Sequence, residues 1–290
     1  MISPILFVSS SKYLSISSIV TFFIPNPSIK VLVILMKLGI IGCGAIGTDV
    51  AKAADEISEI EKIYLFDIKK DVTEKLAKEI KKGEIKKVED FLKDVDIVFE
   101  GASQGAVREY AEKILNAGKD FIMMSVGCLF DDDFRSKIQK IARKNHSKIY
   151  VPSGAICGID GILSGSLAGL SEVTLVTTKS PTSLGQKLQE RTVLFKGSAR
   201  DAVKKFPQNI NVAASLSLAG VGFDETNVEI VADPVETRIN HKILAHGKFG
   251  RLRIELENMP NPNNPKSSYM ASLSAIATLK RIIDPLQIGV

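Results

Sequence analysis

From Met36 onward the apolar positions switch between two periods. Residues 38–41 are a short apolar run that predicts a buried strand, and Ile46, Val50, Ala53 and Ile57 then recur at helical spacing. Residues 63–66 form the next strand, ending at Asp67, after which Val72, Leu76 and Ile80 mark a Lys/Glu-rich surface helix. Residues 96–99 predict a third strand, followed by the loop 100–105. Val107, Tyr110, Ile114 and Leu115 line a further helix, and Gly118 stands where its C-terminus is expected. Residues 121–126 read as a strand, Phe134, Ile138 and Ile141 as a helix face, and residues 149–151 as another strand. This strict alternation predicts an α/β fold, a doubly wound parallel (Rossmann) sheet with right-handed crossovers.

The pattern changes after Pro152-Ser153-Gly154. Residues 158–170 are rich in small side chains and predict a helix joining two domains. Strand-like segments follow at 173–178 and 192–196, then a helix over about 199–205 that ends near Pro207, and another over 211–219. Residues 228–232, 238–245 and 251–257 read as three strands with few helices between them. Leu252, Ile254 and Leu256 alternate with charged residues, so one face of that strand is wet. The segment therefore predicts an open antiparallel or mixed sheet in a second α+β domain. Residues 259–265 form a Pro/Asn-rich loop, and a last helix over 267–283 is apolar on one face and is expected to return to the first domain. The implied organisation is an N-terminal extension over 1–35, a first domain of 36–155 plus 266–290, and a second domain of 156–265.

Composition narrows the class. A chain of 290 residues, 45% hydrophobic and 24% charged, can bury a sizeable core. The net charge is +5; Lys12 and Lys30 lie in a stretch without acids and supply 2 of it, leaving +3 from Met36 onward. That is too little for a nucleic-acid footprint, and no basic stripe with interleaved aromatics is present. Cys43, Cys128 and Cys157 are odd in number and widely spaced. Neither a disulfide framework nor a metal site is indicated, and a reduced, cytoplasmic compartment fits. Near the N-terminus the longest uncharged run, residues 13–29, contains four serines and is interrupted by Pro25 and Pro27, which argues against a membrane span. A signal peptide is disfavoured by the uncharged start and the lack of a small-residue cleavage site. Because Met36 opens the first strand of the alternating pattern, residues 1–35 read as a dispensable extension ahead of a translation start at Met36.

The strongest chemical signal is Gly42-Cys43-Gly44-Ala45-Ile46-Gly47, which follows a strand and opens a helix. In such a turn the first glycine permits the tight bend and the second lets the backbone approach a phosphate. The third allows close helix–strand packing, and the helix N-terminus favours the anion. Asp67, 25 residues after Gly42, is placed to accept hydrogen bonds from ribose hydroxyls and disfavours a 2′-phosphate, so NAD is the first expectation. Lys69 and Lys70 partly neutralise that repulsion and keep NADP open. Loops at the carboxyl ends of parallel strands line the ligand crevice, which adds Ala102, Ser103, Gln104, Gly127 and Cys128. Cys43 and Cys128 have no base nearby in sequence and read as non-nucleophilic. Of the three histidines, His146 lies in a polar helix-end loop, His241 shares a strand face with Ile239 and Ile243, and His246 has the opposite parity. A histidine on an apolar strand face is commonly a core group. An amine or alcohol dehydrogenase, however, needs a proton acceptor near neutral pH, which histidine supplies. Asn211 is either a helix N-cap or a partner of the nicotinamide carboxamide.

From the glycine turn to the C-terminus the sequence resembles the L-aspartate dehydrogenase family. The resemblance is carried by the glycine turn, Ser125-Val126-Gly127-Cys128, Pro152-Ser153-Gly154-Ala155-Ile156-Cys157-Gly158-Ile159-Asp160, Phe195-Lys196-Gly197-Ser198-Ala199, Asn209-Ile210-Asn211-Val212-Ala213-Ala214 and Asn264-Pro265-Lys266-Ser267-Ser268-Tyr269. It implies a homodimer whose second domain serves substrate binding and dimerisation. It also implies oxidation of L-aspartate by NAD or NADP to iminoaspartate, which hydrolyses to oxaloacetate and ammonia or feeds NAD biosynthesis. The family's catalytic histidine falls on His241, and cofactor contacts fall on Asn211 and on Cys128, where relatives carry alanine, so that contact is expected through the backbone. The implied mechanism is hydride transfer from the aspartate α-carbon to the nicotinamide, with His241 handling the amine or water proton. Two substrate carboxylates require cationic or hydroxyl partners, for which Lys179, Lys266 and Ser267 are candidates. The rival readings are a two-domain reductase of the homoserine dehydrogenase or dihydrodipicolinate reductase type, and a non-enzymatic dinucleotide sensor.

Overall fold

β3 (Met36–Ile41) lies at the centre of a six-stranded parallel sheet because its side chains are apolar in both directions and helices cover both faces. The computed structural model describes residues 19–23, 30–206 and 210–289. Most of the expected extension 1–35 and the residues Pro207, Gln208 and Asn209 lie outside the described residues. Within the former, β1 (Ile19–Phe23) and β2 (Lys30–Ile34) pair with each other, antiparallel, in a sheet of their own.

After β3 come α1 (Ala45–Asp55), β4 (Ile60–Phe66), α2 (Lys70–Glu79), the short β5 (Gly83–Ile85), α3 (Val88–Phe91), β6 (Ile97–Glu100), α4 (Gln104–Asn116), β7 (Asp120–Met123), α5 (Asp132–Lys144) and β8 (Ile149–Tyr150). The sheet order is β5-β4-β3-β6-β7-β8 and every pairing is parallel, so the chain winds outward from β3 in both directions. That is the predicted doubly wound arrangement, and its switch point lies between β3 and β6.

α6 (Ile159–Ala168) leads into the second sheet, built from β9 (Leu170–Lys179), β10 (Thr192–Ser198), β11 (Thr226–Ala232), β12 (Ile239–Gly247) and β13 (Gly250–Asn258), with α7 (Ala199–Lys205) and α8 (Asn211–Ala219) between β10 and β11. Its order is β10-β11-β9-β12-β13; only β11 and β9 run parallel, so the sheet is mixed. Leu252, Ile254 and Leu256 are half-buried while the charged residues between them are exposed.

Three local expectations shift. The strand expected over 121–126 ends at Met123 and gives way to a 3₁₀ turn over Val126–Phe130. The Glu100 carboxylate takes the Ser125 backbone N–H at 3.0 Å and its hydroxyl at 2.8 Å, which draws the chain out of the ladder. The loop expected over 259–265 contains a hairpin of β14 (Pro260–Asn261) and β15 (Asn264–Ser268). Asn261 anchors it: fully buried, its amide donates to Asp49 on α1 at 2.9 Å and to Ser272 at 3.0 Å, and its carbonyl accepts from the N–H groups of Asn263 and Asn264. The last helix, α9 (Tyr269–Ile283), consequently starts two residues later than expected, capped by the Ser268 hydroxyl. It returns to the parallel sheet, where Ala275 and Leu279 pack with Leu38, Ile40, Val50 and Ala54. On the opposite face the core runs from Phe91, Ile114 and Phe121 through to Ile162, Leu175, Ala213 and Ile243, so one apolar interior joins the two sheets. Among the described residues no helix is long and apolar enough to cross a membrane.

Candidate active site

The glycine turn shows what each glycine does. Gly42 has φ 94°, and a Cβ there would lie 2.7 Å from the Ala102 backbone nitrogen; a Cβ on Gly47 would lie 1.9 Å from the Gly42 carbonyl oxygen. Gly44 differs: a Cβ there meets nothing within 4 Å. It caps α1 without a side-chain bond, and the first turn of α1 holds no acid. The helix N-terminus therefore faces open space with unsatisfied N–H groups, a cradle that fits a pyrophosphate. Gly44→Ala is expected to leave the melting temperature of the free protein unchanged and to weaken dinucleotide binding about 10-fold or more, since an added methyl in a tight contact costs ~1–3 kcal/mol. Unchanged affinity in a binding titration would place the phosphates elsewhere. Asp67 fastens this turn to the end of β4, accepting the Cys43 N–H at 2.8 Å on one oxygen and the Lys69 N–H at 2.9 Å on the other. Each oxygen retains a lone pair for a ribose hydroxyl.

The loops after β6 and β7 are joined by a residue that sequence reasoning did not single out. Glu100 is fully buried. One of its oxygens accepts the backbone N–H groups of Ala102 and Ser103 and the Ser125 hydroxyl, each at 2.8 Å; the other accepts the Ser125 N–H at 3.0 Å. Burial pushes the carboxyl pKa up and the four donors oppose it. Three of them are N–H groups that can only donate, so the ionised form is the one that satisfies them all. The available signal was an acid ending the otherwise apolar Ile97-Val98-Phe99 strand. Ser103 also caps α4, its hydroxyl accepting the Ala106 N–H at 3.2 Å.

Asn211 is neither cap nor solvent-facing polar residue. It is the first residue of α8, after Ile210 at the cap position, and makes no capping bond. Its Oδ1 instead accepts the Gly127 N–H at 3.0 Å. The amide NH₂ is thereby oriented as a donor in the cleft that Asn211 lines. A Cβ on Gly127 would lie 2.4 Å from the Gln104 amide nitrogen and 3.3 Å from Asn211 Oδ1, so a larger residue here would displace the Gln104 side chain. The structure does not bring the Cys128 side chain to the cleft. The thiol is fully buried and its Sγ donates to the Ser125 carbonyl at 3.3 Å, as an apolar group in a tight turn packs inward. Burial pushes the thiols of Cys43 and Cys128 up to about 12, so neither is a thiolate at neutral pH.

Between the sheets lies a cleft of about 410 Å³. Its parallel-sheet wall is Gly44, Ala45, Ile46, Ala102, Ser125 and Val126; its opposite wall is Lys179, Ile239 and His241, with Asn211 and Ser215 of α8. Ser267 and Ser268 of the hairpin close one end, and the Ser267 hydroxyl donates to the Asn264 carbonyl at 3.0 Å. Lys266 lies on β15, but its side chain is outside the described residues. Antiparallel pairing sets His241 on β12 directly opposite Thr177 on β9, and the Thr177 hydroxyl is 3.0 Å from His241 Nδ1. Nε2 bonds to no described residue and is open to the cleft. Burial first, and the positive charge of Lys179 second, push the His241 pKa down to about 3, so the ring is neutral at pH 7. Burial likewise lowers Lys179 to about 8. The other histidines stand apart: His146 is exposed at a helix end with φ 55°, and exposed His246 pairs with the Ser171 hydroxyl. Among the described residues no His/Cys/Asp/Glu group is arranged to hold a metal ion.

Two family models match the chain in succession. Residues 42–152 match the family model described as "Homoserine dehydrogenase, NAD binding domain", and residues 160–282 match "Aspartate dehydrogenase, C-terminal". The chain is 43% identical to the L-aspartate dehydrogenase of Methanosarcina acetivorans, over 88% of its own length and 100% of that protein's. It is 42% identical to the L-aspartate dehydrogenase of Methanothermobacter thermautotrophicus, over 88% and 99% of the two lengths. Among solved structures it resembles the aspartate dehydrogenase of Thermotoga maritima, with a TM-score of 0.73 and 32% identity over 87% of this chain and 99% of that one. On the fold, the cleft and these likenesses together, the chain belongs to the L-aspartate dehydrogenase family.

Proposed function

We propose that the protein oxidises L-aspartate with NAD or NADP to iminoaspartate, which is hydrolysed to oxaloacetate and ammonia. The observation that carries this reading is that one cleft is walled by the glycine turn on one side and by Lys179 and His241 on the other. When bound, the nicotinamide ring supplies the hydride acceptor. In this reading residues 36–155 with 266–290 hold the dinucleotide and residues 156–265 carry the substrate chemistry. The α1 N-terminus and the turn Gly42–Gly47 hold the pyrophosphate, Asp67 the ribose hydroxyls, and the Asn211 amide the carboxamide oxygen. Ala102, Ser103 and the backbone near Cys128 border the nicotinamide half. His241 faces the reacting amine and then the water that replaces it. Lys179 takes one substrate carboxylate; Ser267 and Lys266, next to the α9 N-terminus, take the other. The enzyme works as a cytoplasmic homodimer and supplies iminoaspartate to NAD biosynthesis; a monomer mass in sedimentation removes the dimer.

The test is aspartate-dependent reduction of NAD and NADP, followed by fluorescence, with homoserine as the competing substrate. Turnover of homoserine without aspartate overturns the reading. Lys179 adds a pH signature. Its charge is present below about 8 and lost above. Inhibition by succinate, which has no group titrating there, is expected to weaken by up to about 10-fold per pH unit above about 8 in the wild type, and to be weak and flat in Lys179→Met. A wild-type inhibition constant that is flat across this range removes Lys179 from the carboxylate site.

A further inference from the structure

Thr177 and His241 are cross-strand neighbours, 6% and 4% exposed, whose side chains meet on the cleft face of the mixed sheet. The 3.0 Å contact to His241 Nδ1 is the Thr177 hydroxyl's single hydrogen bond among the described residues. Two proton arrangements fit that distance. If Nδ1 carries the ring proton, Thr177 accepts it, and its own buried O–H has no acceptor. If Nδ1 is bare, the hydroxyl donates to it and both groups are satisfied. A buried donor left without an acceptor is costly, whereas an oxygen lone pair without a donor is more easily tolerated. The second arrangement is therefore favoured, and it puts the ring proton on Nε2, the nitrogen open to the cleft.

We propose that Thr177 is a positioning residue that fixes His241 as the Nε2–H tautomer, so that the ring meets the substrate as a neutral hydrogen-bond donor. The role at the reacting carbon rests on the function proposed above; the tautomer does not. The strongly lowered basicity of the ring agrees with it, because such an imidazole is a poor proton acceptor at neutral pH and remains an N–H donor. The step it serves is collapse of the carbinolamine formed when water adds to iminoaspartate. There the proton moves from oxygen to nitrogen, giving an alkoxide and an ammonium on one carbon. The C–N bond then breaks, ammonia departs with the electron pair, and the carbonyl forms. A preorganised N–H aimed at that oxygen stabilises the alkoxide as it develops, and in reverse it polarises the oxo-acid carbonyl for attack by ammonia.

The experiment is ¹⁵N spectroscopy of histidine-labelled protein, in which His241→Ala assigns one of just three ring systems. The expected wild-type pattern is a protonated Nε2 and a bare Nδ1. Thr177→Val, nearly the same shape without the hydroxyl, is expected to mix the two tautomers. It should lower kcat about 10-fold with KM for the dinucleotide unchanged, while Thr177→Ser restores both the pattern and most of the rate. A proton on Nδ1 in the wild type, or a pattern and rate unaffected by Thr177→Val, overturns the proposal. Absence of aspartate turnover in the wild type with the expected tautomer would instead overturn the proposed function and leave the pairing standing.

Discussion

His241→Ala is expected to lose about 10²- to 10³-fold in turnover, the usual effect of removing a preorganised donor at the reacting atom, while binding the dinucleotide as the wild type does. The separation follows from the architecture. His241 sits on β12 of the mixed sheet, and the residues placed around the dinucleotide sit on the glycine turn, the ends of β6 and β7, and the first residue of α8. None of the described hydrogen bonds runs from His241 to that machinery; its partner is Thr177. The substitution leaves the Thr177 hydroxyl unpartnered, at a stability cost of ~1–3 kcal/mol. Kinetics are therefore to be read on protein whose melting curve shows a complete folded baseline. Dinucleotide titration beside steady-state turnover decides the matter. Full turnover removes His241 from the chemistry, and joint loss of binding and turnover assigns it to the fold.

Glu100→Gln is expected to destabilise the protein by about 2–4 kcal/mol and to weaken the dinucleotide together with the fold. A carboxylate accepts on both oxygens, and here both are used. A glutamine has one oxygen. Whichever way its amide turns, an NH₂ faces at least one N–H, and charge-assisted bonds become neutral ones; a hydrogen bond to a charged group contributes ~1.5–3 kcal/mol. The donors that lose their acceptor belong to the two loops that border the cleft, so the damage appears in both measurements. Thermal melts with and without saturating dinucleotide, and the KM for NAD, are the readout. A variant that melts and binds as the wild type does would show that the loops hold themselves without the brace.

Much of the fold is legible in the sequence because period and punctuation act locally. The helix over 211–219 and the strand ending before Asp67 are set by residues within a turn or two of their ends, and both stand where the pattern puts them. The brace and the hairpin were not legible in this way. Glu100 reaches Ser125 across the sheet, and Asn261 reaches Asp49 on a helix formed far earlier in the chain. A buried acid and a buried asparagine both look like loop polarity until the partners are known. In the candidate site the glycine turn announces itself through three glycines within six residues, one of which, Gly47, packs directly on the Gly42 carbonyl. Strand parity put His241 on an apolar face, but its pairing with Thr177 depends on a register that no local pattern specifies. Asn211 shows the reverse case: of the two roles its position allowed, the local capping rule gives way to a tertiary acceptor role toward Gly127.

The return of α9 to the parallel sheet bears on how the protein is made. Ala275 and Leu279 complete the face formed by Leu38, Ile40, Val50 and Ala54, yet they follow the whole mixed sheet in the chain. About 120 residues separate β8 from α9, on the order of 10 s of ribosomal synthesis. During that interval the nascent dinucleotide-binding unit has all its strands and one uncovered apolar flank. The parallel sheet thus waits for α9, which ties completion of the unit to translation of the whole mixed sheet and leaves products truncated before α9 exposed to chaperones and proteases.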